Sequence, residues 1–275
     1  MRFLKLLIVL LSISSFGQNK ILFPTPFEKG NGNQSTTYNE CIQYYQDLDA
    51  SYATIQMIEK GKTDSGKPLH IVIFSENKNF DVNQNKAIVL VNNGIHPGEP
   101  DGIDASMMLM RDLAIAKIKV PKNTLVVVIP VYNIDGMLNR NTSSRANQNG
   151  PEEYGFRGNA RNFDLNRDFI KSDTKNSRSF QELFRSINPD VFLDNHVSNG
   201  ADYQYTFTCI ATQHERLGSK LGNYFINEFY PSIVQSMKQK KIDVVPYVNV
   251  HSTTPDKGFE QFTDTPRYAT GYTTL

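Results

Sequence analysis

Apolar positions along the chain switch between a helical period and continuous short runs, and the switching predicts its elements. Tyr38, Cys41, Ile42 and Tyr45 recur at helical spacing, so 37–48 reads as a helix. Two strands are expected at 53–59 and 69–75, separated by Asp64-Ser65-Gly66-Lys67-Pro68, residues that favour a tight turn. The run 87–91 is continuously apolar, as a strand covered on both faces should be. Ile103, Met107, Leu109, Met110 and Leu113 mark a helix whose first turn accommodates Pro100, where a missing N–H costs nothing. Residues 124–131 read as another buried strand, followed by a polar stretch over 133–168 that is long for a loop inside a domain. A helix near 177–186, strands at 191–195 and 203–208, and a long helix from about 213 to 238 complete the series. Strands alternating with helices predict an α/β fold with a largely parallel sheet. Ligands of such sheets bind outside the carboxyl ends of the strands, and the polar segments here follow strands.

The two ends of the pattern stand apart from this core. Arg2 and Lys5 precede an apolar run over 6–16, and Ser15 and Gly17 stand at the −3 and −1 positions of a cut before Gln18. This reads as a signal peptide at 1–17, cleaved near Gln18, which implies export to the periplasm or the extracellular space. No Cys follows the run to carry a lipid anchor, and no later stretch is long and apolar enough for a transmembrane helix. Residues 18–36 are expected to form an irregular arm, rich in Pro, Gly, Asn and Thr, leaving 37–275 as one domain. A formal net charge of +1 over 275 residues argues against a nucleic-acid partner. Cys41 and Cys209 are far apart and in no metal-binding spacing, so both are expected as buried free thiols.

The chemistry concentrates after the predicted strands. His96 and Glu99 are three residues apart in Asn92-Asn93-Gly94-Ile95-His96-Pro97-Gly98-Glu99-Pro100, so their side chains can face one ion together. A catalytic zinc commonly takes three protein ligands. Of the other histidines, His70 lies in an apolar strand, His214 opens a helix and His251 sits in a polar turn. His196 instead closes the strand ending Asp194-Asn195-His196, at the same sheet edge as His96, with Asp194 and Asn195 beside it to orient the ring. His96, Glu99 and His196 therefore form the best three-ligand set. Between 133 and 168 there are five arginines, Arg140, Arg145, Arg157, Arg161 and Arg167, and no lysine. Arginine suits a planar grip on a carboxylate. Asp135, Glu152, Glu153, Asp164 and Asp168 in the same stretch offer a purely structural use for those arginines. No glycine-rich phosphate loop is present.

The order His96-Pro97-Gly98-Glu99, Asn133-Ile134-Asp135-Gly136, Asp164-Leu165-Asn166-Arg167-Asp168 and then a strand ending in His196 resembles the zinc carboxypeptidases of the carboxypeptidase A type. The resemblance runs from about residue 37 to the last residue. It implies an α/β/α sandwich, a mixed, largely parallel twisted sheet flanked by helices on both faces. It implies Zn2+ held by His96, Glu99 and His196, and a peptide or protein substrate with a free C-terminus bound by Asn166 and Arg167. An upstream arginine would hold the oxyanion, with Arg157 the best match and Arg145 and Arg161 its rivals. Tyr268 and Tyr272, in Thr265-Pro266-Arg267-Tyr268-Ala269-Thr270-Gly271-Tyr272, match a substrate-side loop. The general base of the family is a glutamate on a later strand, but the last glutamate here is Glu260, before that loop. The resemblance thus implies a chain that stops at Leu275 without its base and without the last part of the domain. Two other readings share these residues: a zinc amidohydrolase of the aspartoacylase or succinylglutamate desuccinylase kind, and a zinc-containing peptide or muropeptide binder without catalysis.

Overall fold

Five strands form the central sheet of the computed structural model, which describes residues 22–84, 86–146, 148–198, 204–251, 255–262 and 265–273. They are β1 (Ile55–Lys62), β2 (Pro68–Ser75), β3 (Ala87–Asn92), β4 (Thr124–Ile129) and β5 (Val191–Asp194), arranged β1-β2-β4-β3-β5. β3 is parallel to β4 and β5, whereas β2 is antiparallel to both β1 and β4. β2 alone runs against the others, so the sheet is mixed and largely parallel, as expected. The predicted leader at 1–17 lies outside the described residues.

Side chains alternate across the strands and divide the core into two layers. Val72 and Phe74 of β2 and Val126 and Val128 of β4 share one layer with Tyr45 and Leu48 of α2 (Tyr38–Ser51) and Met107 and Met110 of α3 (Asp101–Ala114). Leu69, Ile71 and Ile73 of β2 and Leu125, Val127 and Ile129 of β4 meet Phe180, Leu183 and Ile187 of α5 (Lys175–Ile187) in the other. Helices therefore cover both faces. Both layers are apolar because the central strands present every second residue to each, which is why those strands read as unbroken apolar runs.

Local chemistry sets the helix ends. Thr37 accepts from the Glu40 N–H at 3.3 Å, while its own N–H donates to the Glu40 carboxylate at 2.8 Å, a reciprocal cap that opens α2. Pro100 stands at the N-cap of α3, one position before the first turn. The arm is less irregular than predicted. It carries a short helix, α1 (Pro26–Lys29), capped in the same way by Thr25 and Glu28, and Glu28 pairs with Arg111 of α3 at 2.7 Å.

Asp104 on α3 is a buried carboxyl, 4% exposed, and one of its oxygens has no hydrogen-bond partner among the described residues. Burial pushes its pKa up to about 7, aided by Asp101 and Glu40 against the Thr36 N–H. The native state thus holds this proton more tightly than the unfolded chain, and stability falls as pH rises from about 4, the ordinary carboxylate value, to about 7. Asp104→Asn is expected to raise the urea midpoint at pH 8 and to leave it nearly unchanged at pH 4. Equal gains at both pH values would reject this account.

Beyond β5 the structure differs from the predicted pattern. The strand expected at 203–208 is β6 (Phe207–Cys209), short because its partner β7 (Val244–Pro246) is only three residues long; residue 203 lies outside the described set. The predicted helix over 213–238 is a composite. A 3-10 turn (His214–Leu217) leads into α6 (Gly218–Tyr224), a π turn (Phe225–Phe229) and α7 (Tyr230–Gln239). Pro231 has no N–H to donate, and the wider turn falls immediately before it, with the Tyr230 N–H reaching back to Phe225. A hairpin of β8 (Val248–Val250) and β9 (Phe259–Gln261) and a last short helix, α8 (Ala269–Thr273), follow. Cys41 and Cys209 are both free; Cys41 is buried, and Cys209 is only half-buried. No helix among the described residues is long and apolar enough to cross a membrane.

Candidate active site

β3 and β5 lie side by side and parallel, so the chain leaves both at the same edge. The exits are stitched together by amides: Asn92 donates to Asp194 at 2.8 Å, and Asn195 donates to Asn93 at 2.8 Å. The first turn of α3 packs so closely there that a Cβ on Gly102 would stand 2.4 Å from that of Asn195. This contact admits only glycine.

The two exits bring His96, Glu99 and His196 together, with one ligand atom of each within 4.8 Å of the others. Glu99 is the centre and is 3% exposed. Its Oε1 lies 3.1 Å from His96 Nδ1 and accepts from Arg145 Nη2 at 2.8 Å. Its Oε2 lies 2.9 Å from His196 Nδ1 and accepts the Val197 N–H at 3.0 Å. The far nitrogen of each ring is held by an aspartate: His96 Nε2 by Asp164 at 3.0 Å and His196 Nε2 by Asp194 at 3.1 Å. Each imidazole therefore turns Nδ1 inward and is oriented through Nε2, the pattern that fixes metal-binding histidines. Two imidazole nitrogens and one carboxylate oxygen, backed by two aspartates, form a donor set suited to zinc.

Charge is balanced within the cluster. Burial alone would raise the Glu99 pKa, but its contacts with His196 and His96 hold it far below the carboxylate range. Burial is likewise outweighed at Asp164, where His96 and then Arg157 hold the carboxyl well below its usual value. His196 would be depressed by burial, yet Asp194 and Glu99 lift it to about 10.

The five arginines of 133–168 divide by role. Arg140 bonds the Ser35, Thr36 and Glu153 carbonyls and fastens the arm. Arg161 turns to the Asp173 carbonyl, and its guanidinium lies over the Phe163 ring, away from the triad. Arg145 and Arg157 both reach the triad. Arg145 contacts Glu99 and also lines a cavity of about 560 Å³ together with Tyr154 and Asn149. Arg157 donates to Asp164 through Nε at 3.0 Å and Nη2 at 2.8 Å, and its Nη1 lies 3.4 Å from His96 Nδ1.

Asn133-Ile134-Asp135-Gly136 forms the start of α4 (Ile134–Leu138), where a Cβ on Gly136 would meet the Phe156 carbonyl at 2.3 Å. Asn133 caps this helix and donates to the Arg157 carbonyl at 2.9 Å, so the motif holds the arginine-bearing segment of the loop in place. Asn166 and Arg167 lie in a 3-10 turn (Leu165–Arg167), whose entry Asp164 caps. The Arg167 guanidinium stacks 4.5 Å above the Tyr268 ring, and the Asn166 side-chain oxygen is buried without a partner among the described residues. Tyr272 packs on Phe169 at 5.9 Å. Glu260 is exposed on β9. His70 is buried in β2, His214 pairs with Glu215 and His251 directly follows β8, so none of the three joins the cluster. Asp164 is the site residue that sequence reading left among the structural acids. Its place two residues before Asn166 carries no signal of its own until His96, distant in sequence, is brought beside it.

Residues 41–254 match the family model described as zinc carboxypeptidase. Carboxypeptidase 2 of Trichophyton rubrum is 27% identical over 173 residues, 60% of this chain and 29% of that protein. Carboxypeptidase 2 of Trichophyton tonsurans is 29% identical over 140 residues, covering 49% of this chain and 23% of its own length. Among solved structures, a metallo-carboxypeptidase from Burkholderia cenocepacia superposes with a TM-score of 0.61 at 15% identity, covering 86% of this chain and 57% of that one. Carboxypeptidase A from Helicoverpa armigera gives 0.58 at 16% identity, with 87% and 61% covered. The chain thus spans less than a third of these curated relatives and little more than half of these solved ones.

Proposed function

The chain belongs to the zinc carboxypeptidase family, and from that premise we propose that it is an exported metallocarboxypeptidase that removes C-terminal residues from peptides or proteins. The observation that carries this reading is the convergence of His96, Glu99 and His196 from two adjacent strand exits, with an aspartate behind each imidazole. These three would hold zinc, which supplies a Lewis acid that polarises the scissile carbonyl and makes an attacking water more acidic. The protein's own groups would bind and orient the substrate. Arg167 would grip the terminal carboxylate of the substrate, since a guanidinium presents paired N–H groups to two oxygens. Asn166, next to it in the turn, would donate its side-chain amide N–H to the same carboxylate. Tyr268, stacked on Arg167, would keep that guanidinium aimed, and Tyr272 one helical turn later would wall the same side. Arg145 or Arg157 would meet the carbonyl oxygen as charge develops on it. Export is supported by the leader-like segment at 1–17.

The test is a zinc assay together with turnover of one peptide supplied with a free or an amidated C-terminus. One zinc per chain is expected, with a preference for the free carboxylate on the order of 100-fold or more. Equal cleavage of both would favour an amidohydrolase over the exopeptidase. Zinc binding without turnover of either would mark a peptide or muropeptide binder.

A further inference from the structure

We propose that the N-terminal arm is a strap that tunes metal affinity: through Arg140 it holds down the loop over 139–154, and that loop seats Arg145 against Glu99. Arg140 and Arg145 are then positioning residues, the first acting through the second. The inference rests on the metal role proposed above for Glu99.

Arg145 reaches Glu99 along a fitted path. Its stem crosses Gly98, where an added Cβ would stand 3.1 Å from the Arg145 Cγ and 2.9 Å from the Gly155 carbonyl. Its Nε donates to Gln148, whose amide donates to the Gly98 carbonyl at 3.0 Å, and its backbone N–H donates to the Tyr154 hydroxyl at 3.1 Å. The far end donates to Glu99 Oε1 at 2.8 Å. The loop that carries this arginine has little support from the core. Asn141 and Tyr154 exchange backbone hydrogen bonds where its legs meet, but the cavity of about 560 Å³ opens beside Arg145. The second leg spends its backbone on the arm instead. The Glu152 N–H donates to the Asn33 carbonyl at 2.9 Å, and the Glu153 carbonyl accepts from the Ser35 hydroxyl at 2.6 Å. Arg140, on the first leg, joins both legs to the arm, donating to the Thr36 carbonyl at 3.0 Å, the Ser35 hydroxyl at 3.0 Å and the Glu153 carbonyl at 2.9 Å. The arm can bear this load because it is tied to α3 as well. Glu28 takes Arg111 on both carboxylate oxygens, at 2.9 and 2.7 Å, and the Thr36 N–H donates to Asp104. A ligating carboxylate keeps its orientation through its own hydrogen bonds, and one of those at Glu99 is delivered from the arm side of the domain. Arg145 then serves the ligand, and the developing oxyanion falls to Arg157.

The experiment uses the full chain as wild type, R140Q, S35A, R145Q, R140Q/R145Q and I73A, each checked for folding by circular dichroism. I73A opens a cavity in the core layer on the α5 side and serves as a control for general loss of stability. Zinc dissociation constants are measured by competition with a chromophoric chelator. Hydrogen exchange of the metal-free protein is followed over peptides covering 139–155. R145Q is expected to weaken zinc about 10- to 100-fold, the range found when an outer partner of a metal ligand is lost. R140Q should weaken it about 3- to 10-fold and speed exchange across the loop, and S35A should do the same more mildly. The double variant should bind no more weakly than R145Q alone, because the arm acts through that residue. I73A should leave zinc affinity within about twofold of wild type, since distant, independent sites do not couple. Unchanged zinc affinity in R140Q and S35A would overturn the proposal, as would additive losses in the double variant or an equal loss in I73A. If the wild type binds no zinc, the metal reading fails by itself and exchange decides the strap: faster loop exchange in R140Q upholds the link from arm to loop, and unchanged exchange overturns it. Should R140Q fail to fold, S35A, which removes one hydroxyl from the same joint, gives the same comparison alone and with R145Q.

Discussion

Glu99→Ala is expected to abolish stoichiometric zinc, read as the metal-to-protein ratio by mass spectrometry after gel filtration. Two losses coincide. The carboxylate donor disappears, leaving two imidazoles where a catalytic zinc takes three protein ligands. The buried Arg145 side chain, 9% exposed, loses its acid, and the Val197 N–H loses its acceptor. Removing one partner of a buried ion pair costs about 3–5 kcal/mol, so the metal-free variant should also unfold at lower denaturant. Glu99→Gln separates the effects. It keeps the volume and an acceptor but drops the charge, so zinc binding should suffer more than stability. A tight one-to-one zinc in Glu99→Ala would refute the ligand assignment.

Phe180→Ala should produce the largest loss of stability from the core. The ring is fully buried and packs against Tyr132 at 5.0 Å, Phe169 at 5.4 Å, Phe184 at 5.8 Å and Phe192 at 6.0 Å between centroids. Deleting a buried phenyl ring costs about 3–5 kcal/mol, a large share of the roughly 5–15 kcal/mol that holds an ordinary domain together. The cluster also underlies the site. Tyr132 precedes Asn133, Phe169 follows the turn that carries Arg167, and Phe192 lies on β5. Urea unfolding is the measurement. A loss below about 1 kcal/mol would mean the site rests on other contacts.

The central sheet was legible in the sequence because burial on both faces forces unbroken apolar runs, and β3 and β4 show them plainly. β1 was less so. It is an edge strand, and its outer end carries Glu59, Lys60 and Lys62, with a bulge at Gly61, so the polar end hides the pairing of Lys60 and Lys62 with β2. The convergence of His96, Glu99 and His196 was legible from local order, since His96 and Glu99 share one turn and His196 follows a strand. Asp164 was not, because its partners lie 68 and 7 residues away and only the folded loop joins them. The arginines were legible as a group but not as individuals. Which of them ties the arm, and which reaches the triad, depends on the path of 139–163 over the surface. After β5, the helical period alone cannot separate an α-helix from the 3-10 and π turns at Gly218 and Pro231.

The contacts of Glu99 with His196 and Val197 close a circuit of 97 and 98 residues of chain. Inside it lie α3, β4, α4, α5 and β5, about half of the two core layers. Such a circuit has the topology of a covalent staple, and closing it early would carry a heavy loop-entropy cost. The triad should therefore assemble after the sheet, as one of the last long-range contacts to form. A ligand of that triad would bind the native chain and not its unfolded form, raising the apparent stability of the whole domain by mass action.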